Sequence, residues 1–322
     1  MIGRRKVLIT GGMGYVGGRV AVALARRKDV DLYLGSREGS GGNPTWLPSG
    51  HHVAMKWDSL DNLASACDGV ETVVHLAAMN EVDCAQRPAA ALEVNGVNSV
   101  RLLEAAKARG VARFIYLSTA HVYGAPLVGR IDENTVPRPR QAYATSHRAA
   151  EDAVLATHDD GRLIGLVLRL SNAFGVPTHA NVNRWTLLVN DLCRQAVKNH
   201  SLVLRSAGLQ RRDFVTLHDV GRALSHALDL SKEQVGVGIF NVGGSWAPRI
   251  IDMVEIIRER CTVVLGYTPE IVRPDPTAAE IECVLDYRID KLLATGFVLK
   301  GNPVDEIDAT LRMCQKINNE PQ

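Results

Sequence analysis

No apolar stretch in this 322-residue chain approaches the ~18 residues that a bilayer-crossing helix requires, which excludes a membrane-spanning helix. Charge of one sign is missing too. The chain carries 37 Lys and Arg against 35 Asp and Glu, a formal net charge of +2. Its basic residues are scattered, so it offers no field to steer nucleic acid, and no nucleic-acid partner is expected. Paired cysteines are absent as well. Cys67, Cys84, Cys193, Cys261, Cys283 and Cys314 stand far apart, with no Cys-x-x-Cys and no His-x-x-x-His partner. That pattern excludes a disulfide frame and a zinc site, and it reads as buried thiols in a reducing compartment with no metal. The basic start, Met1 to Lys6, lacks the apolar core of a secretion signal, because Val7–Thr10 runs straight into glycines. The expected location is the cytoplasm.

What the chain does have is rhythm. With 46% hydrophobic and 22% charged residues, it is long and apolar enough for one large domain with a smaller appendage. Over the first 175 residues, short β-branched runs alternate with amphipathic stretches. Val7–Thr10, Val30–Gly35, Thr72–Ala77, Arg113–Ser118 and Leu163–Leu170 read as strands. Gly17–Arg27, Leu60–Asp68, Pro88–Arg109 and Ala142–Thr157 read as helices between them. Alternation of this kind means an α/β fold, a parallel sheet with helices on both faces and right-handed crossovers. Gly35–Pro48 is the most loop-like segment. After Gly175 the rhythm changes: Trp185–Lys198 predicts a helix, Ser201–Leu204 a short strand and Gly208–Phe214 a polar turn. Val215–Leu230 predicts a strand and helix rejoining the first sheet, followed by strand Ile239–Val242 and helix Ile250–Arg260. The reading divides the chain into a dinucleotide-binding unit, 1–176 and 211–244, and a smaller interleaved unit, 177–210 and 245–322.

The first chemical motif is Thr10-Gly11-Gly12-Met13-Gly14-Tyr15-Val16-Gly17, which follows a strand and opens a helix. Glycines at 11, 14 and 17 permit a tight turn, close backbone approach to a pyrophosphate and close helix–strand packing. The helix N-terminus then offers free N–H groups and a positive dipole end. A glycine triplet alone is weak evidence; the strand–turn–helix setting makes it a dinucleotide site.

Further motifs follow in order: His75-Leu76-Ala77-Ala78, Asn95 in Val94-Asn95-Gly96-Val97-Asn98, and Ser118-Thr119-Ala120-His121-Val122-Tyr123-Gly124. Tyr143-Ala144-Thr145-Ser146, Arg169-Leu170-Ser171-Asn172-Ala173-Phe174-Gly175, Arg212-Asp213-Phe214 and Asn241-Val242-Gly243-Gly244 complete the set. With the glycine turn, this series resembles the extended short-chain dehydrogenase/reductase family of nucleotide-sugar epimerases, dehydratases and ketoreductases, from residue 6 to about 245. The resemblance implies a Rossmann-type doubly wound parallel sheet with a smaller C-terminal α/β substrate domain. It implies that Tyr143 exchanges a proton with a sugar hydroxyl or ketone oxygen while Thr119 hydrogen-bonds the same oxygen, with Asn95 in the catalytic set. For such work the phenol pKa must fall from ~10 towards neutrality. The competing reading is a packed Tyr ring at a helix start and a Thr capping a strand.

The sequence departs from the family at Tyr143-x-x-x-His147, where the family has Tyr-x-x-x-Lys. Positions four apart share a helix face, so His147 points at the same ribose. With a reference pKa of ~6.5 an imidazole is mostly uncharged at neutral pH; it can hydrogen-bond a hydroxyl but holds no constant charge beside Tyr143. Arg148 points roughly 100° away around the helix. A shifted pH profile, a substitute cation, or lost catalysis are the three possible consequences.

NAD-binding relatives end the second strand with an acid. Here the region reads Leu34-Gly35-Ser36-Arg37, and an Arg about 20 residues past the turn pairs with a 2′-phosphate. This favours NADP over NAD; the competing reading makes Arg37 an ordinary solvated charge. Asp58 resembles the family's adenine-contacting Asp. Ala120-His121 stands where 4,6-dehydratases carry Asp-Glu, which disfavours that elimination, and His121 either faces substrate or packs at a strand end. Asn172 and Arg212 match positions that bind the nucleotide pyrophosphate, with a salt bridge to a neighbouring Asp as the alternative for Arg212. Trp185 either lines the pocket or packs in the core. Two enzymatic readings result: NADPH-dependent reduction of a 4-keto nucleotide sugar, and nucleotide-sugar epimerisation with retained NAD. A non-catalytic dinucleotide-binding protein is the third. By resemblance, helices Pro88–Arg109 and Ala142–Thr157 form a homodimer interface.

Overall fold

A computed structural model describes residues 3–37, 44–47, 49–182, 184–277 and 282–319. Strand β1 (Arg5–Thr10) leads through the glycine turn into α1 (Tyr15–Ala25), β2 (Val30–Ser36), β3 (His51–Ala54), α2 (Leu60–Ala66) and β4 (Thr72–His75). Next come α3 (Glu81–Gln86), α4 (Pro88–Ala91), a π-helical turn (Leu92–Val97), α5 (Asn98–Ala108), β5 (Arg113–Thr119), β6 (Gly129–Ile131) and α6 (Ala142–Asp159). The chain continues with β7 (Ile164–Leu170), β8 (Asn172–Phe174), α7 (Leu188–Asn199), β9 (Ser201–Val203), β10 (Phe214–Thr216), α8 (Leu217–Ala227), α9 (Lys232–Val235) and β11 (Ile239–Val242). It ends with α10 (Ile250–Leu265), β12 (Glu270–Val272), β13 (Leu285–Tyr287), α11 (Asp290–Ala294) and α12 (Pro303–Asn319).

Seven parallel strands form the central sheet in the order β11-β7-β5-β4-β1-β2-β3. The chain steps outward one way from β1 through β2 and β3, then crosses to β4 on the other side. A crevice therefore opens outside the carboxyl ends of β1 and β4, where the two directions part. The apolar runs explain the layers. In β1, Val7 and Ile9 join the core under α1 and α8, while Leu8 joins the core under α2, α5 and α6. Successive strand side chains point to opposite faces, so a strand buried on both sides must be apolar at every position.

A third core gathers α7, α10 and α12 around Leu192, Val254, Ile257 and Leu311, with β9 and β12 paired beside it. Two parts of the C-terminal stretch return to the N-terminal half: β13 pairs with β6 in a separate two-stranded sheet, and Leu292 and Phe297 enter the first core. Helix α12 is pinned through buried Glu306, which pairs with Arg19 of α1 and accepts from the backbone N–H groups of Val176 and His218.

Several details differ from the sequence expectation. The helix expected over 88–109 contains the π-helical turn, and the helix expected from Trp185 begins at Leu188. Trp185 packs against the third core. Cys283 is exposed, whereas the other five thiols are buried. Helices α3 and α12 carry no clear signal in the sequence reading. Most of the Gly35–Pro48 loop lies outside the described residues.

Candidate active site

One cleft of about 1510 Å³ runs along the carboxyl ends of the sheet. That exceeds the ~300–1,000 Å³ of an ordinary ligand pocket and suits two nucleotides end to end. Its floor begins at the glycine turn. Gly11 has φ +70, and a Cβ there would lie 2.8 Å from the Ala77 nitrogen; a Cβ on Gly17 would lie 2.0 Å from the Gly11 oxygen. The turn is thus closed against both β4 and its own helix, and only glycine fits. The α1 N-terminus has no side-chain cap, so its first N–H groups are left for an anion. Gly11, Met13, Gly14, Val16 and Gly17 all line the cleft, as do Leu76, Ala77 and Ala78 beyond β4. Tyr15 also lines it, but its hydroxyl is engaged elsewhere, donating to the Gly175 oxygen at 2.8 Å. These features fit a dinucleotide diphosphate: a bare helix end, and a cradle that a side chain would fill.

His75 holds the β4 side of that cradle. Thr10 Oγ1 accepts from the Leu76 and Ala77 nitrogens and meets His75 Nδ1 at 2.6 Å, while His75 Nε2 meets Ser99 Oγ at 2.8 Å. Burial lowers the His75 pKa to about 3, so both ring nitrogens serve as neutral hydrogen-bonding groups.

At the far end, β5 ends in Ser118 and Thr119, and both line the cleft. The Thr119 hydroxyl accepts from the His121 nitrogen at 3.2 Å, capping the short 3-10 turn of Ala120–Tyr123. Its own proton remains to be donated. Ser118 Oγ is buried without a partner; the sequence reading passed over it, though a second hydroxyl beside Thr119 was the available signal. Tyr143, in the first turn of α6, is half-buried and lines the cleft. Burial raises its phenol well above the ordinary value, with Glu81 adding to the rise and Arg184 opposing it. The shift is opposite to the lowering that the chemistry was expected to require, because removal from water disfavours the charged phenolate.

His147 occupies that place. Its Nδ1 lies 2.9 Å from the Tyr143 carbonyl oxygen. A carbonyl only accepts, so Nδ1 carries the hydrogen and the neutral ring keeps its lone pair on Nε2. Burial lowers its pKa to about 4, although the bond to Tyr143 and the charge of Glu151 resist this. Position 147 is therefore a hydrogen-bonding group without charge at pH 7. Arg148 supplies no replacement, being paired with Glu151 and Asp152.

Two residues expected in the site stand outside it. Asn95 does not line the cleft. It is turned inward on the π-helical turn, accepting from the Met79 nitrogen at 2.6 Å and donating to Ser146 Oγ at 3.0 Å. It ties the segment after β4 to α6. Asp58 is exposed and lies off the cleft; its neighbours Met55 and Trp57 form that wall instead. Arg37 does line the cleft, exposed beside Gly35 and Ser36 at the end of β2.

Farther along, the cleft passes His121, Asn172 and Arg212. His121 Nδ1 is buried without a partner, and burial lowers its pKa. Asn172 donates to the Asp213 carbonyl at 3.0 Å. Arg212 reaches only Gln210, at 3.5 Å, and no carboxylate among the described residues pairs with it. Its neighbour Asp213 is turned away, accepting from Ser171, Gly244 and Trp246. A partly buried guanidinium without an anion, its pKa depressed by burial, leaves a place for one. Glu81 and Arg184, which the sequence reading also passed over, form an ion pair on this wall.

The model of the NAD dependent epimerase/dehydratase family matches residues 7–243. A UDP-glucose 4-epimerase of Corynebacterium glutamicum is 29% identical over 268 residues, 79% of this chain and 80% of that protein. A dTDP-6-deoxy-L-talose 4-dehydrogenase (NAD(P)(+)) of Kitasatospora kifunensis is 29% identical over 289 residues, 86% of this chain and 85% of that one. Among solved structures, UDP-glucose 4-epimerase with UDP-glucose from Thermotoga maritima superposes with a TM-score of 0.80 at 20% identity, covering 98% of this chain and 100% of that one.

Proposed function

The chain belongs to the NAD dependent epimerase/dehydratase family, and on that premise we propose that it reduces a 4-keto nucleotide sugar with NADPH. One observation carries the reading: a single cleft joins the glycine turn, the Thr119/Tyr143 pair and the unpaired Arg212. The α1 N-terminus and the glycine turn would hold the dinucleotide diphosphate, and Arg37 its 2′-phosphate. A bound nicotinamide supplies hydride donation and acceptance.

The chain's own residues handle the oxygen. Tyr143 donates its phenolic proton to the carbonyl oxygen as it becomes a hydroxyl, and Thr119 donates a hydrogen bond to the same atom. His147 accepts a hydrogen bond from a ribose hydroxyl through Nε2. Arg212 and Asn172 take the diphosphate of the sugar nucleotide, where a forked guanidinium matches paired oxygens. His121 faces the sugar.

Epimerisation with retained NAD is the second reading, favoured by relatives named UDP-glucose 4-epimerase. Denaturing the purified protein separates the two: released NAD supports epimerisation, and consumption of added NADPH with a 4-keto nucleotide sugar supports reduction. Tyr143→Phe abolishes either activity if Tyr143 is the proton donor. Arg37→Ser raises KM for NADPH about tenfold and leaves NADH unchanged, since a lost ion pair of about 1.4 kcal/mol is a factor of ten. No activity with any keto-sugar or sugar nucleotide, despite tight dinucleotide binding, would leave the non-catalytic reading.

We further propose a cytoplasmic homodimer. Leu92 and Val97, exposed at 45% and 40% on the helical segment beside α6, support that face, and sedimentation of the purified protein tests it.

A further inference from the structure

A chain of buried hydrogen bonds runs from the glycine turn to the helix that carries Tyr143. It starts at Thr10, the last residue of β1, whose backbone continues into Gly11. Thr10 Oγ1 meets His75 Nδ1 at 2.6 Å, and His75 Nε2 meets Ser99 Oγ at 2.8 Å. Ser99 Oγ donates to the Asn95 carbonyl oxygen at 2.6 Å. Asn95 Nδ2 donates to Ser146 Oγ at 3.0 Å, and Ser146 Oγ donates to the Tyr143 carbonyl oxygen at 2.9 Å. None of Thr10, His75, Ser99, Asn95 and Ser146 is more than 2% exposed.

The direction of every link is fixed. Carbonyl oxygens only accept. Ser99 gives its proton to the Asn95 carbonyl, so it accepts from His75, and Nε2 carries the ring hydrogen. Burial keeps the ring uncharged, so Nδ1 has a lone pair and accepts from the Thr10 hydroxyl. The Asn95 amide is held one way round, because its Oδ1 accepts from the Met79 nitrogen at 2.6 Å. Asn95 stands in the π-helical turn Leu92–Val97, a rare winding that is frequent at functional sites. Histidine suits the joint at 75: a neutral imidazole presents an acceptor to β1 and a donor to α5 from one rigid ring.

Each end of the chain touches a working part. Thr10 Oγ1 also accepts from the Leu76 and Ala77 nitrogens, which line the cleft with Gly11. The Tyr143 carbonyl also accepts from His147 Nδ1. No link can turn to water for another partner, so a shift at one end is passed along the packed interior.

Resting on the reading of the glycine turn as the diphosphate seat and of Tyr143 as the proton donor, we propose that His75 is a positioning residue for the reaction. Through the chain that His75 joins, the seat of the dinucleotide sets the place of Tyr143. Hydride and proton then reach the two atoms of one carbonyl in register. Filling the seat stiffens the first turns of α6, and cutting the chain uncouples them.

The first test needs no catalysis. ADP occupies the diphosphate seat but has no nicotinamide half to reach α6. It slows backbone amide exchange in the first two turns of α6 about fivefold in the natural protein, and leaves it unchanged in His75→Phe and Ser99→Ala. Equal slowing in all three proteins, or none in the natural one, overturns the proposal. If His75→Phe fails to fold, Ser99→Ala alone decides. The second test is kinetic. Ser99→Ala lowers kcat for the keto-sugar about tenfold with KM for NADPH kept within about twofold, and adding Ser146→Ala lowers it no further. An unchanged kcat in Ser99→Ala, or losses that multiply in the double variant, overturns the proposal. The parent reading fails separately, by absence of ADP binding to the natural protein or by hydride transfer persisting in Tyr143→Phe.

Discussion

The His147 imidazole donates through Nδ1 to the Tyr143 carbonyl oxygen at 2.9 Å, and its ring centre lies 4.2 Å from that of the Tyr143 phenol. One side chain is thus bound to the backbone of the other while the rings touch. This arrangement keeps His147 in place without requiring its charge. His147→Lys puts an ammonium where the ring stood. In the direction of alcohol oxidation, where phenolate must accept the proton, the rising limb of kcat against pH should move down by about one unit or more. His147→Gln, which adds no charge, should leave the limb where it is. A lysine variant with an unmoved limb places position 147 out of electrostatic reach of the phenol.

Buried histidines give stability a defined pH dependence. His75 and His147 are held at about 3 and about 4, both below the ordinary 6.5. Between those values and 6.5 the unfolded chain binds protons that the native chain does not, so stability rises with pH there. Their contribution is complete above 6.5 and is lost as pH falls towards 4 and then 3. Asp213, raised to about 6 by burial, works in the opposite sense between 3.8 and 6. His121 and His226 are lowered as well, and Glu133 is raised, so four histidines against two carboxylates predict a net fall in melting temperature on acidification from pH 6.5 to 4. His147→Gln should flatten that fall in a pH series of thermal unfolding curves.

Gly17→Ala tests the glycine turn. The added methyl would lie 2.0 Å from the Gly11 oxygen and 2.9 Å from Gly12 Cα, backbone atoms that cannot step aside alone. We expect a stability loss on the order of 1–3 kcal/mol and dinucleotide affinity reduced at least about tenfold. Differential scanning fluorimetry with and without NADP⁺ reads both quantities. Tight binding in the variant would mean that the turn is not the diphosphate cradle.

Glu151 and Arg169 form an ion pair with almost no exposure, 0% and 1%, at 2.8 Å. It joins α6, which carries Tyr143 and His147, to β7. Removing Glu151 strands the Arg169 charge in the interior, so Glu151→Gln should cost about 3–5 kcal/mol in denaturant unfolding, and Arg169→Met should cost less than that because Glu151 keeps its pairing with Arg148. Replacing both with apolar residues of similar volume should cost less than either single change, because no uncompensated charge remains.

By itself the sequence determined the alternation of strand and helix, the doubly wound sheet, and the glycine turn at its head. These are local properties: apolar periodicity selects each element, and a positive φ or a close backbone approach selects glycine whatever lies elsewhere. It also marked Thr119 and Tyr143, which stand at the ends of elements whose order in the sheet follows from the same alternation. Tertiary structure alone decided the rest. It turned Asn95 inward to tie down Met79, left Asp58 in solvent, and set Trp57 and Met55 on the wall instead. It lowered the His147 pKa through burial, a quantity no spacing reveals. Glu81 and Arg184 met across 103 residues, and Glu306 of the last helix reached Arg19 of the first. Charge pairing and desolvation depend on which distant surfaces come together, and that information resides in packing.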